Sequence, residues 1–469
     1  VRTDLQLGRC VLVPRPGRKV VQCAGRARGH VGRLACGRSS STSVLAALFP
    51  LVAPLLAQDA AWWNKHKESL GALYRHLHAH PELSFQETAT AARMAEELRT
   101  LGLEVTTEVG GTGIVAVLRR GEGPVGLLRA DMDALPVAED TGLPYQSTVR
   151  AQSADGRAIG TMHACGHDLH MTCLVGAARW FAQHPDAFAG TLVFQLQPAE
   201  ERAGGMKAML ADGLLTRFPR PSWALALHTA TDLEHDRVGV CSGFAMANVD
   251  SCDITVYGKS GHGASPHKTV DPIVQAAQLV LDLQTIVSRE IDPLEACVIT
   301  VGAIQGGNKH NIVPGECHLQ ATVRSYAPDV RDRMLAAIER KAKAVALSYG
   351  APPPKVVFSE HTPSLHNHAA LTAAVRAGFV TTFGAAAVVD RKPEMIAEDF
   401  GRLYGENVPL CMFRLGTIAP DRLAKMVAAG DVPALHSARY YPDYEVATWT
   451  GVRALVAAVH AAAAAKLGK

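Results

Sequence analysis

The sequence predicts an α/β fold: a large domain built on a mostly parallel sheet covered by helices, with a small ferredoxin-like α+β domain inserted into it. Two observations carry this reading. From about residue 61, short apolar runs alternate with segments of helical length, and strands separated by helices imply a parallel sheet covered on both faces. Between about Ala247 and Glu360 the order changes to βαββαβ, the split unit of a ferredoxin-like domain. The αβ alternation then resumes, so the small unit interrupts the large one. A chain of 469 residues is long enough for two separate cores.

Taken in order, Ser84-Phe-Gln-Glu87 reads as a capping box that opens a helix running to about Leu101. Gly113–Leu118 and Val125–Ala130 read as strands, Asp168–Gln183 as a helix and Thr191–Gln197 as a strand. Gly205–Asp212 follows as a helix and Trp223–His228 as a strand. The inserted unit contributes strand Cys252–Tyr257, helix Asp271–Arg289, strands Cys297–Ala303 and His318–Tyr326, helix Asp329–Tyr349 and strand Lys355–Ser359. Helices Ala369–Phe383 and Val446–Leu467 and strand Leu410–Leu415 close the chain, while Ala419–Pro433 reads as a long loop. The predicted division is 1–57 as a leader outside the fold, 58–246 and 361–469 as two parts of the large domain, and 247–360 as the insert.

The leader stands apart in composition. Residues 1–43 carry eight Arg and one Lys against a single acid, Asp4, and a 14-residue apolar run follows from Val44 to Ala57. A basic stretch, a short apolar core and a small residue at its end form the pattern of a cleaved export signal. The expectation is export, periplasmic or secreted, after cleavage near Ala57. An Arg- and Ser-rich, acid-poor leader also fits organelle targeting, and a misread start would leave a cytoplasmic protein.

The remaining composition excludes several classes. Hydrophobic residues make up 48% and charged residues 19%, with a net charge of +3, the balance of an ordinary globular protein. No basic stripe interleaved with aromatics suggests nucleic acid, and no uninterrupted apolar run reaches the roughly 18 residues of a spanning helix. Seven of the ten cysteines lie beyond the leader at irregular spacing, which is not a disulfide framework.

Chemistry-bearing residues cluster after the ends of predicted strands, where open α/β sheets bind ligands. In Met162-His-Ala-Cys165-Gly-His167-Asp168, a thiolate and an imidazole two residues apart can grip one metal ion, although Cys-x-His alone also describes a buried thiol beside a surface His. Pro198-Ala-Glu200-Glu201 ends an apolar strand. Consecutive side chains diverge there, so one carboxylate can ligate while the other faces a substrate, or the two form a charge pair at a helix start. His228 ends another apolar strand, and His436 lies in a late loop. Taken together, one thiolate, one carboxylate and three imidazoles suit two divalent cations.

At this point the motifs resemble the metallopeptidase family that contains aminoacylases, hippurate hydrolases and plant auxin-conjugate amidohydrolases. The matching segments are HPELSFQE (80–87), RADMDALPV (129–137), MHACGHDLH (162–170), QPAEE (197–201), LH (227–228) and SGHGASPH (260–267). GGNKHNIVPG (306–315), AEDF (397–400) and LHS (435–437) continue them in the same order. The resemblance implies that Cys165 bridges two divalent metal ions, completed by His167, Glu201, His228 and His436, and that Glu200 is the general base. Zinc, manganese, cobalt or nickel would suit such a site. The implied activity is hydrolysis of the amide bond of N-acyl amino acids. A dipeptidase or carboxypeptidase with the same machinery is the alternative, and a non-catalytic binding protein is less favoured because Glu200 and all five ligands are retained.

Further roles are expected, that of Asp131 and Asp133 from their place at a strand end. Asp131 and Asp133 would orient a metal-bound His from behind, or else turn the loop. His262 is similar to the family's transition-state-stabilising His, which in relatives can reach a neighbouring subunit, or else is a surface His. Asn311 and Arg324 resemble a pair that recognises the substrate carboxylate, a guanidinium fork matching a carboxylate in shape, or else form a structural contact. A homodimer through the small domain is expected. The Tyr-rich tract to Glu445, the missing Pro after Ser437 and the long 419–433 segment depart from the family pattern, and their expected effect is on the acyl pocket.

Overall fold

The computed structural model describes residues 52–152 and 156–465. The first helix, α1 (Val52–Ala79), buries Trp62, Leu70, Leu73, Tyr74 and Leu77 along one stripe. Residues 1–51 of the predicted leader lie outside the described residues. Helix α2 (Thr88–Thr100) then leads into β1 (Glu104–Thr106), β2 (Ile114–Arg120) and β3 (Val125–Asp131). Helix α3 (His167–Gln183), β4 (Gly190–Gln197), α4 (Gly205–Ala211), β5 (Trp223–Glu234) and β6 (Val238–Val240) complete the first part of the large domain.

The predicted capping box does not form. Ser84 Oγ donates 2.6 Å to Asp133 Oδ2, and Glu87 accepts from the amides of Phe85 and Ala199 and the hydroxyl of Thr112. The start of α2 is held instead by Glu82, whose carboxylate takes the amides of Ala89 and Thr90 at 3.1 and 2.7 Å. Motif residues thus serve long-range contacts, and an acid from further upstream supplies the negative charge that a helix N-terminus favours.

The inserted unit matches its predicted order: β7 (Asn248–Tyr257), α5 (Pro272–Thr285), β8 (Cys297–Gln305), β9 (Glu316–Ser325), α6 (Pro328–Ser348) and β10 (Lys355–Thr362). Its four strands run antiparallel in the order β8-β9-β7-β10. The inward residues Cys252, Ile254, Val256, Leu319 and Val323 meet Leu279, Leu283, Met334 and Ile338 from α5 and α6 in one apolar core. The alternation of buried and exposed positions along β9 follows from one covered and one open face.

The chain then returns through α7 (Ala369–Phe383), β11 (Val388–Asp390), β12 (Leu410–Ile418), α8 (Pro420–Ala429) and α9 (Tyr444–Ala464). The large sheet has eight strands in the order β1-β2-β4-β3-β5-β12-β6-β11. Its centre, β4-β3-β5-β12, is parallel throughout. Central strands buried on both faces read as continuous apolar runs, and β4 and β12 are buried along their whole length. Strand β5 does not stop at His228 as predicted; it pairs with β12 as far as Glu234. The predicted loop 419–433 contains α8, whose one fully buried residue is Leu423. Helix α9 is long and apolar enough to cross a membrane by composition, yet 61% of its 18-residue apolar window is buried, and it packs on α3, α7 and the sheet as a core helix.

Candidate metal centre

Three parallel strands deliver the predicted donors. β3 ends at Asp131, and Asp133 follows two residues later. Beyond β4, Pro198 and Ala199 turn the chain (Ala199 at φ 46) before Glu200 and Glu201. His228 lies within β5. Cys165 precedes α3, with Gly166 at φ 82 packed so closely on Thr229 that a Cβ would meet its methyl carbon at 2.7 Å. His436 comes from the late loop, also at positive φ, and its amide donates to the carbonyl of Ala164 at 2.9 Å. Cys165, Glu200, Glu201, His228 and His436 all line one cavity of about 890 Å³.

Within this cluster Cys165 Sγ lies 3.6 Å from His228 Nε2, and His167 Nε2 lies 3.8 Å from Glu201 Oε1. His436 Nε2 is 3.4 Å from the same Glu201 oxygen. Backbone contacts set both inner imidazoles. His167 Nδ1 faces the carbonyl of Asp133 at 2.8 Å and His228 Nδ1 that of Thr229 at 3.0 Å, so each presents Nε2 as an acceptor. His167 Nε2 and Glu201 Oε1 are buried and have no hydrogen-bond partner among the described residues.

Lone pairs converging on one point without a donor are expensive to bury. A cation resolves this, and the donor set of thiolate, imidazole and carboxylate suits a transition-metal ion. The electrostatics agree: contacts with Cys165 and Glu201 push His436 up to about 10, so positive charge is favoured where the three meet. Asp133 stands behind two of the donors. Its Oδ1 is 3.3 Å from His167 Nδ1, and its Oδ2 accepts the amide of Glu201 at 3.0 Å.

Beneath the cluster lies a charged floor in which Asp131 is the one residue with a role expected from the sequence. Arg129, fully buried within β3, donates to Gln197, to Asp131 at 2.7 Å and to Glu398 at 2.8 Å, with Asp399 at 3.5 Å. Gln197 in turn donates 2.5 Å to Asp399. Burial and then the neighbouring carboxylates Glu398 and Glu201 raise Glu200 well above the usual carboxylate range. Arg129 and Glu398–Asp399 sit inside two quoted motifs, and an Arg within an apolar strand is itself a signal that acids must meet it. His170 was also passed over: its Nδ1 is 2.6 Å from Asp131 and its Nε2 accepts the amide of Thr229 at 2.9 Å.

The remaining predicted residues divide. Arg324 lines the cavity with the donors. His262 and Asn311 do not line it; they come together in a small ribbon in which His262 pairs with Ile312 and the amide of Gly263 donates to the Asn311 carbonyl. The Tyr-rich tract turns away as well, Tyr444 stacking on Tyr74 of α1 at 4.5 Å and Arg422 covering Tyr441. Of residues 419–445, Ala434, Leu435 and His436 line the cavity.

A mostly parallel α/β sheet with side chains able to hold a metal ion gathered near its strand ends, and an α+β insert whose Arg324 lines the same cavity, is an arrangement suited to a metal-dependent hydrolase. Residues 127–429 match the Peptidase family M20/M25/M40, and the chain belongs to that family. It is 36% identical over 356 residues to N-acetyl-L-cysteine deacetylase of Bacillus subtilis (strain 168), covering 75% of this chain and 81% of that one. To thermostable carboxypeptidase 1 of Saccharolobus solfataricus it is 34% identical, covering 76% and 90% of the two chains. A solved dinuclear metal-binding peptidase of Bacillus subtilis superposes with a TM-score of 0.69 at 29% identity, covering 85% of this chain and 99% of that one. The protein is therefore a metal-dependent amidohydrolase.

Proposed function

We propose that the substrate is an N-acyl amino acid, cleaved at its amide bond with the amino-acid carboxylate held by Arg324. One observation carries this reading: Arg324 lines the cavity of the candidate metal cluster, half-buried, with uncharged groups as its hydrogen-bond partners among the described residues. Its guanidinium donates to the Met395 carbonyl at 2.7 Å and weakly to Thr322, so among the described residues this half-buried cation has no anionic partner.

In this reading Cys165, His167, Glu201, His228 and His436 would together hold two divalent ions. Such ions acidify water and polarise an amide carbonyl when bound. Glu200 accepts the proton from the attacking water at its carboxylate and passes it to the leaving nitrogen. Its raised proton affinity suits the second half of that task, because a weaker acid holds the proton until the amine needs it. Asp133 fixes His167 from behind, and Asp131 keeps Arg129 and His170 in place.

His262 and Asn311, together in one ribbon outside this cavity, would serve the site of a second subunit in a homodimer formed through the small domain. The similarity to a carboxypeptidase favours one second reading, in which the same cavity takes a peptide. The leader further supports export with cleavage near Ala57, checked by N-terminal sequencing of the mature protein.

The deciding experiment is a panel of N-acyl amino acids, dipeptides and carboxylate-free N-acyl amides offered to the metal-loaded protein. N-acyl amino acids should be turned over best. Superior turnover of dipeptides would install the second reading, and equal turnover of the carboxylate-free amides would remove the role of Arg324.

A further inference from the structure

The cavity contains a second guanidinium that the proposed reaction does not use. Arg414 on β12 stands directly opposite His228 of β5 in the parallel register, so both side chains leave the same face of the sheet. Arg414 lines the cavity and is 8% exposed. Its Nη2 pairs with Glu394 Oε2, but its Nη1 is buried and has no hydrogen-bond partner among the described residues.

The neighbouring charges do not fill that gap. Arg391, also lining the cavity, takes the other Glu394 oxygen at 3.3 Å and reaches Asp232 at 2.9 Å. Glu394 thus has one oxygen committed to each arginine. The fork of Arg414 can hold a planar carboxylate through two parallel N–H groups, and Glu394 engages one arm. A buried guanidinium N–H left unpaired is costly, more so for a charged group. Arg324, which lines the same cavity, has no acid partner among the described residues.

We propose that Arg414 is a specificity-determining residue that receives a second carboxylate of the substrate, so that the preferred N-acyl amino acids are dianionic. This rests on the reading of the cavity as an N-acyl amino acid site, with Arg324 holding the first carboxylate. The second can reside on the amino-acid side chain, as in an N-acetyl aspartate or glutamate, or at the end of the acyl group, as in an N-succinyl amino acid. N-acetyl amino acids with uncharged side chains carry one carboxylate and satisfy Arg324 alone.

The test compares kcat/KM for N-acetyl-L-alanine, N-acetyl-L-glutamate and N-succinyl-L-alanine with the metal-loaded protein and with R414Q. The wild type should favour one dianionic substrate over N-acetyl-L-alanine by about 10- to 100-fold, the usual worth of a charge-assisted contact. Which dianion is preferred tells the side-chain source from the acyl source. In R414Q that ratio should fall toward one. Because R414Q frees one oxygen of Glu394, the double variant R414Q/E394Q is measured beside it and should show the same collapsed ratio. Calorimetric binding of N-acetyl-L-glutamate and N-acetyl-L-alanine to E200Q gives the same comparison without turnover. A wild-type ratio near one, with N-acetyl-L-alanine well hydrolysed, overturns the proposal and leaves the N-acyl amino acid reading intact. So does a dianion preference that survives both arginine variants. Failure to hydrolyse any of the three substrates overturns the reading itself.

Discussion

Asp131 Oδ1 lies 2.6 Å from Nδ1 of His170, and the other imidazole nitrogen accepts the amide of Thr229. Both nitrogens of His170 are therefore occupied, although the ring centroid is 5.3 Å from that of His167. These contacts tie α3 to the end of β3 and to the middle of β5, the three elements that place His167, Asp131 and His228. Of the two adjacent imidazoles, His167 alone keeps a free Nε2 for the metal-binding cluster.

Adjacent carboxylates with different surroundings should separate by substitution. Glu200→Gln should lower turnover by about 10²- to 10⁴-fold while leaving metal content near that of the wild type. Glu201→Gln should lose metal, because its Oε1 is the one that converges with His167 and His436. Turnover and elemental analysis of both variants check this, and an exchange of the two phenotypes would exchange the roles.

Metal stoichiometry is open to direct measurement. Protein purified without chelator should carry about two divalent ions per chain, as the relation to a dinuclear peptidase suggests. Chelator treatment should abolish activity and lower the melting temperature, since a ligand bound only by the folded state stabilises it. Full activity at one ion per chain would sink the binuclear assignment.

Arg324→Lys keeps the charge and loses the fork. Losing a charge-assisted hydrogen bond of about 1.5–3 kcal/mol predicts a fall of roughly 10- to 150-fold in kcat/KM on N-acyl amino acids. Carboxylate-free amides should be poor substrates for the wild type and nearly indifferent to the change. Equal losses on both substrate types would make Arg324 structural.

A buried triad behind the site predicts a pH signature in stability. His78 of α1 lies 2.7 Å from Asp168 and 3.0 Å from Glu139. These contacts outweigh its burial, which opposes the charge, and raise it to about 9. A group whose folded value is raised contributes stability that is fully present below its unfolded value near 6.5 and is lost as pH rises through about 9. His78→Gln should therefore destabilise most below pH 6.5, by about 3 kcal/mol, with the gap from wild type closing toward pH 9. Denaturant titrations at several pH values measure it, and a gap independent of pH would deny that His78 is charged in the fold.

Much of the fold was legible because it is written in local periodicity. Apolar runs such as Thr191–Gln197 and the helical stretch Ala369–Phe383 declare strand or helix by themselves, and the βαββαβ order of the insert needs nothing beyond succession. The chemistry-bearing types could likewise be found after strand ends. Less legible were residues whose partners are far along the chain. Ser84 and Glu87 look like a capping box locally, but Asp133 and Ala199 claim them.

What the sequence by itself determined was the alternation of elements, the insert, and the set Cys165, His167, Glu200, Glu201, His228 and His436 as candidates, because residue type and strand-end position are local properties. The tertiary structure decided which candidates share a cavity. It brought Arg324 beside them, left His262 and Asn311 on a separate ribbon, and joined Arg129 to Glu398 across 269 residues. Burying that cation makes its acids obligatory, but their position in the chain depends on packing and leaves no trace in local periodicity.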